Sequence, residues 1–177
     1  MNTLFFLIGA SGAGKTSVVK ILEQQKIPYL KICYFDSIGV PSNEEMIREY
    51  GSGEEWQKSK TVEWVRRIKT DYLPAKNVIL DAQTRPIFIE EACRKNKVEK
   101  YKIILFDCED GVRKRRLTKR GQPELASDTM MKWAQCLREE SIEKECKIID
   151  TSNLSIDQSL HSLRTFIEDN SEARTIK

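Results

Sequence analysis

The stretch Gly9-Ala10-Ser11-Gly12-Ala13-Gly14-Lys15-Thr16 decides how this chain reads. It fits the pattern GxxxxGK[ST], and each residue type in it has a physical reason. Gly9, Gly12 and Gly14 permit backbone angles that turn successive N–H groups toward one anion. A helix starting near Lys15 adds its dipole and its free N–H groups to the same anion. In this pattern Lys15 reaches the β- and γ-phosphates of a nucleoside triphosphate, and the Thr16 hydroxyl ligates Mg²⁺. The flanks agree. Leu4 to Ile8 is an apolar run of strand length, and Thr16 to Gln25 has helical spacing with Val18, Val19 and Leu22 on one side. The spacing therefore predicts a strand–loop–helix unit in which Gly9 and Ser11 to Ser17 hold a nucleotide: Gly9, Ser11, Gly12, Ala13, Gly14, Lys15, Thr16 and Ser17.

The rest of the chain repeats the alternation. Tyr29 to Phe35, Val78 to Leu80, Lys102 to Phe106 and Lys147 to Ile149 read as further strands. Nearly continuous apolar strands separated by helical stretches predict a parallel sheet covered on both faces, an α/β protein. Two regions interrupt the pattern. Residues 39–74 hold a capping-box pair, Ser42 with Glu45, and then a long helical stripe of Thr61, Val65, Ile68 and Tyr72. Residues 111–127 are basic and carry Gly121 and Pro123, and they lead into a helix over about 128–143. The polar residues Asp169 to Lys177 are expected to fray.

Composition narrows the class. The chain has 177 residues, 40% hydrophobic, with 30 Lys+Arg against 27 Asp+Glu. That length suits one domain over 1–177, and the net charge of +3 is too small to call for nucleic acid or to indicate disorder. Leu4 to Ile8 is far too short to span a membrane. Five cysteines, Cys33, Cys93, Cys108, Cys136 and Cys146, form no CxxC pair, which argues against zinc and for a reducing, cytoplasmic setting.

Three further positions carry chemistry. Asp36 follows the second strand, and in an open α/β sheet ligands bind at the carboxyl ends of the strands. A carboxylate there can orient or deprotonate an acceptor hydroxyl, or hold Mg²⁺ through water. Asp81 ends Val78-Ile79-Leu80 and suits a Mg²⁺ water beside the loop, and Asp107 ends Ile103 to Phe106 in the same way. Asp81 is preferred, because Arg85 lies four residues on, where its fork can grip an acceptor phosphate or carboxylate. Finally, Val112 to Arg120 holds six basic residues in nine. Arg113, Arg116 and Arg120 share one helical face that can close over a triphosphate and stabilise the transferring phosphoryl group.

Together these residues resemble the P-loop kinases of the nucleoside-monophosphate-kinase type, the group that includes adenylate, shikimate and gluconate kinases. Gly9 to Thr16 match the phosphate loop, and Asp36 matches the acidic residue after the second strand. Asp81 with Arg85 is similar to the D-G-x-P-R segment, with Ala82 and Thr84 at its Gly and Pro. Arg116-Leu117 and Arg120 resemble the lid signature R-L-x-x-R. The resemblance implies a P-loop NTPase three-layer sandwich with a five-stranded parallel sheet in the order 2-3-1-4-5. It also implies a helical acceptor insertion over about 39–74 and a lid over about 111–127. By the same resemblance Ser152 and Asn153 after the last strand line the adenine. Arg113 is a candidate nucleotide contact from its place on the basic helical face, and Arg48, in the insertion, is a further candidate acceptor ligand that no motif supports. The implied activity is ATP- and Mg²⁺-dependent transfer of the γ-phosphate to a small-molecule acceptor.

Two other readings compete. Asp36-Ser37-Ile38-Gly39 fits D-x-x-G and Asn96-Lys97-Val98-Glu99 nearly fits N-K-x-D, as in a GTP-binding switch. Placement disfavours it, since the first lies on the second strand and the second precedes a strand. A polynucleotide-end kinase would use Val112 to Arg120 on nucleic acid, but no aromatics interleave the cluster to stack bases.

Overall fold

The apolar run ahead of the loop is strand β1, Leu4–Ile8, and all five of its residues are buried. The chain is described here from a computed structural model that covers residues 2–171. Alternate side chains of β1 point to opposite faces. Leu4, Phe6 and Ile8 join one core, and Phe5 and Leu7 join the other. A strand buried on both sides in this way requires helices on both sides.

The elements follow in the order that this demands. After β1 come α1 (Lys15–Gln24), β2 (Leu30–Tyr34), α2 (Asn43–Tyr50) and α3 (Gly53–Asp71). Then come β3 (Asn77–Asp81), α4 (Pro86–Asn96), β4 (Tyr101–Asp107) and α5 (Asp110–Lys119). The chain continues with α6 (Asp128–Glu143), β5 (Lys147–Asp150) and α7 (Ile156–Asp169). The sheet is entirely parallel in the order β2-β3-β1-β4-β5, with Leu7 opposite Asp81 on one side and Ile104 on the other. One layer is α1 and α7, which bury Val18, Val19, Leu22, Leu163 and Ile167 against Phe5, Leu7 and Phe106. The opposite layer buries Trp64, Val65 and Ile68 of α3, Ile89 and Ala92 of α4, and Leu137 of α6 against Phe6, Leu80 and Leu105. This is the three-layer sandwich and strand order that the resemblance implied.

Residues 39–74 fold as two helices. Ser42 and Glu45 form the reciprocal cap of α2, with Glu45 N donating to Ser42 Oγ at 3.2 Å and Ser42 N to Glu45 Oε2 at 2.8 Å. Ser52 caps α3, whose stripe of Thr61, Val65 and Ile68 is fully buried. Helix α4 has no counterpart in the sequence reading. Its signal was present in Pro86, whose fixed φ and missing N–H suit the first turn of a helix.

One side of the segment expected as a lid packs inward. Residues 110–119 are α5, and Val112, Arg113 and Leu117 are buried. Outside that helix the segment contains a single 3₁₀ turn, Pro123–Leu125. Of the tail expected to fray, Asp169 ends α7 and residues 172–177 lie outside the described residues. Burial pushes the thiol of Cys33 up to about 11 and that of Cys93 up to about 12, so these cysteines act as small apolar residues. Among the described residues no helix is long and apolar enough to cross a membrane.

Candidate active site

The loop between β1 and α1 turns at the carboxyl edge of the sheet. Gly9 has φ 147°, and a Cβ placed there would lie 2.2 Å from the Phe106 carbonyl oxygen of β4, so no other residue fits. Gly12 has φ 86°, and a Cβ on it would press on the side chains of Arg113 and Leu117. The loop therefore rests directly on α5. Within it, Lys15 Nζ donates to the Gly9 carbonyl at 2.5 Å. Lys15 is only 9% exposed, and burial pulls its ammonium below the ordinary value while the nearby Asp81 and Asp36 carboxylates oppose that shift.

A cleft of about 250 Å³ opens over this loop and brings together Lys15, Thr16, Asp36, Asp81 and Arg120. Asp36 arrives from a 3₁₀ turn, Phe35–Ile38, at the end of β2, and Asp81 is the last residue of β3. Burial pushes the Asp81 carboxyl up, Lys15 pulls it back, and Asp36 adds to the rise. Asp107, the other strand-end acid, is committed elsewhere. It accepts from Arg113 Nη2 at 2.7 Å and from Arg138 Nε at 2.5 Å. Of the two acids the sequence left open, only Asp81 faces the loop.

A second hollow of about 250 Å³ shares Gly12, Gly14, Ser17 and Arg120 with the cleft and continues toward α7. Val18, Leu154 and Ile156 supply apolar wall, and Arg116 and Thr151 supply polar groups. Arg116 is aimed by donating to the Thr151 carbonyl at 2.6 Å and to its hydroxyl oxygen at 2.9 Å. Thr151 in turn donates toward the carbonyls of Ala13 and Asp107 at 3.0 Å, so it ties β5 to the loop. Thr151 escaped the sequence reading, which chose its neighbours. Its only signal was its place at the end of the last strand.

A third cavity, about 570 Å³, lies on the other side and shares Phe35, Asp36 and Gln83 with the cleft. Trp56, Gln57, Arg85, Met130 and Trp133 line it. Asp36 thus stands at the junction of the phosphate loop and a space large enough for a small molecule.

Five expected ligands are placed differently. Arg113 has no exposed surface; it donates to the Ser11 carbonyl at 3.0 Å and to Asp107, so it braces the loop from beneath. Arg48 is exposed and pairs with its neighbour Glu49, because it lies on the solvent face of α2. Arg85 lines the third cavity, but its fork is taken by Glu54 at 2.6 Å and by Glu140. Ser152 is turned into a tie, donating to Asp150 at 2.5 Å and accepting from Glu109 N at 2.9 Å. Asn153 is exposed and lines none of the three hollows. The Asn96 side chain, part of the GTP-type pattern, is spent on the carbonyls of Val62 and Ala92.

Among the described residues no group of three or more His, Cys, Asp or Glu side chains converges as a metal site of its own. The oxygen donors beside the loop include the Thr16 hydroxyl and the Asp81 and Asp36 carboxylates. These hard oxygen donors suit Mg²⁺, which takes few protein ligands and completes its shell with phosphate oxygens and water.

The fold recurs among solved structures. A sugar kinase from Janibacter sp. HTCC2649 superposes with a TM-score of 0.66 at 16% identity, covering 98% of this chain and 100% of that one. Thymidylate kinase from Candida albicans gives 0.65 at 16% identity over 96% and 92% of the two chains. Shikimate kinase from Acinetobacter baumannii, bound to shikimate, gives 0.63 at 12% identity over 100% and 97%. A search of curated proteins finds no sequence match. A model of the AAA domain matches residues 6–150, from β1 to the end of β5. With that match over most of its length and that sheet order throughout, the chain belongs to the AAA domain family and has the P-loop fold of the nucleoside-monophosphate-kinase type.

Proposed function

We propose that this protein is a phosphotransferase that moves the γ-phosphate of ATP to a hydroxyl of a small molecule. The observation that carries the reading is the position of Asp36, which lines both the phosphate-loop cleft and the 570 Å³ cavity beside it. A carboxylate between donor and acceptor spaces suits a general base.

In this reading the loop amides, Lys15 and the N-terminus of α1 hold the triphosphate, and Val18, Leu154 and Ile156 flank the adenosine. Thr16 and Asp81 hold Mg²⁺, which supplies charge neutralisation on the phosphates. The acceptor hydroxyl gives its proton to Asp36 as its oxygen bonds the γ-phosphorus. The bond from that phosphorus to the β–γ bridging oxygen breaks, and ADP leaves. Arg120, which lines the cleft at the end of α5, and Arg116, held by Thr151, offset the charge that gathers on the phosphoryl oxygens. The work is almost wholly positioning and electrostatics, as phosphoryl transfer requires.

The kinase names of the structural neighbours support this class of reaction. The test is transfer of γ-labelled phosphate across a panel of hydroxylated metabolites, with Lys15→Ala alongside. The expected result is transfer to one panel member, reduced at least about 100-fold in the folded variant. Undiminished transfer by that variant would refute the reading.

A further inference from the structure

The cavity beside Asp36 has a charge pattern that restricts what it accepts. Its wall carries three ionisable groups, Asp36, Glu54 and Arg85. Among the described residues Arg85 is the only cation on that wall, and it is already engaged. Its Nη1 donates to Glu54 at 2.6 Å, and its Nε donates to Glu140 at 2.6 Å. The guanidinium also lies over the Phe88 ring, its Cζ 5.2 Å from the centroid, a cation–π contact. One cation therefore stands among three carboxylates, and its Nε and both Nη groups already each meet one of them.

The remaining wall is aromatic and neutral. Phe35 and Trp56 meet edge to face, 5.9 Å apart, and Trp133 faces the same space with Met130. Gln83 and Thr129 add neutral polar side chains to the same wall. Gln57 donates its amide N–H to the Gln83 carbonyl at 2.6 Å, which leaves its own carbonyl oxygen to accept. Aromatic faces with a few neutral donors and acceptors suit a ring that bears hydroxyls. A phosphate or carboxylate would meet the surplus of carboxylates and no free cation.

Resting on the kinase reading, we propose that the acceptor is an uncharged, hydroxyl-bearing ring compound, a nucleoside or neutral sugar, and not a nucleotide or a sugar acid. Glu54 and Glu140 set this preference by neutralising Arg85, the one cation on the wall among the described residues.

The test is a titration followed by tryptophan fluorescence and calorimetry. The probes are adenosine, uridine, glucose and ribose, each against its anionic counterpart: the nucleoside 5′-monophosphates, gluconate and ribose 5-phosphate. Binding of a non-hydrolysable ATP analogue is measured on the same samples. The expected result is that at least one uncharged probe binds and does so at least tenfold more tightly than its anionic counterpart. Glu54→Gln and Glu140→Gln, made separately, are expected to narrow that ratio by freeing Arg85, and the exposed Glu54 position keeps the test open if Glu140→Gln fails to fold. An anionic probe that binds more tightly than its uncharged partner, or failure of every uncharged probe, overturns the proposal. Retained affinity for the ATP analogue in either case leaves the kinase reading standing; its loss removes that reading instead.

Discussion

Arg113 Nη2 donates to Asp107 Oδ1 at 2.7 Å, and both side chains are buried beneath the phosphate-binding loop. The same guanidinium reaches the Ser11 carbonyl through Nη1 at 3.0 Å. A charge pair at the end of β4 thereby holds the loop that begins at the end of β1. This explains why Gly12 packs so closely on α5, where only the glycine leaves room for the Arg113 stem.

Arg113→Met should therefore act on stability first. It leaves Asp107 buried with Arg138 as its remaining cation, and breaking a buried pair from one side costs about 3 kcal/mol. Urea unfolding should show a lower midpoint at unchanged slope, and calorimetry a weaker ATP analogue because Ser11 has lost its donor. An unchanged midpoint would mean that the pair does not support the loop.

Asp81→Asn should show the opposite sign in the unliganded protein. Burial raises the folded-state pKa of Asp81 above its ordinary value of 3.8. The folded form then holds the proton more readily than the unfolded chain, so stability falls as pH rises from 3.8 through the folded pKa. Above the ordinary carboxyl range the ionised side chain carries that burial cost, and the amide removes it. Thermal melts at pH 7 should therefore rise in the variant. The gap should close as the pH is lowered to the ordinary carboxyl range, while Mg²⁺-dependent transfer falls. A variant that melts lower at pH 7 would show that Asp81 is a net stabiliser.

Asp36→Asn should separate chemistry from binding. Loss of a general base typically lowers turnover about 10²- to 10⁴-fold. Affinity for the ATP analogue should hold, because Asp36 lines the cleft but not the hollow that continues to α7. Turnover and ATP affinity measured together decide the matter, and a loss confined to ATP affinity would assign Asp36 to the donor.

The phosphate loop was legible because its geometry is local. Eight consecutive residues turn the amides, and Gly9, Gly12, Gly14, Lys15 and Thr16 occupy the positions that the turn demands. The strands were legible because a strand buried on both faces must be apolar almost throughout, as Leu4–Ile8 is. Arg113 and Arg116 show where that legibility ended. They lie three residues apart on one helix, yet one is closed under the loop and the other lines the hollow that continues toward α7. Helical spacing places both on one face but cannot say that Asp107 lies beneath it.

By itself the sequence determined the phosphate-binding turn, the alternation of buried strands and helices, and the Asp36 and Asp81 carboxylates at strand ends. These depend on neighbours within a few residues, where backbone angle and side-chain period settle the outcome. Only the tertiary structure decided that Asp107 pairs with Arg113 and Arg138, that Thr151 aims Arg116, and that Glu54 and Glu140 occupy Arg85. Each of the last two joins side chains more than 30 residues apart, and whether a charge is free or spent depends on what the packed helices bring within hydrogen-bond reach.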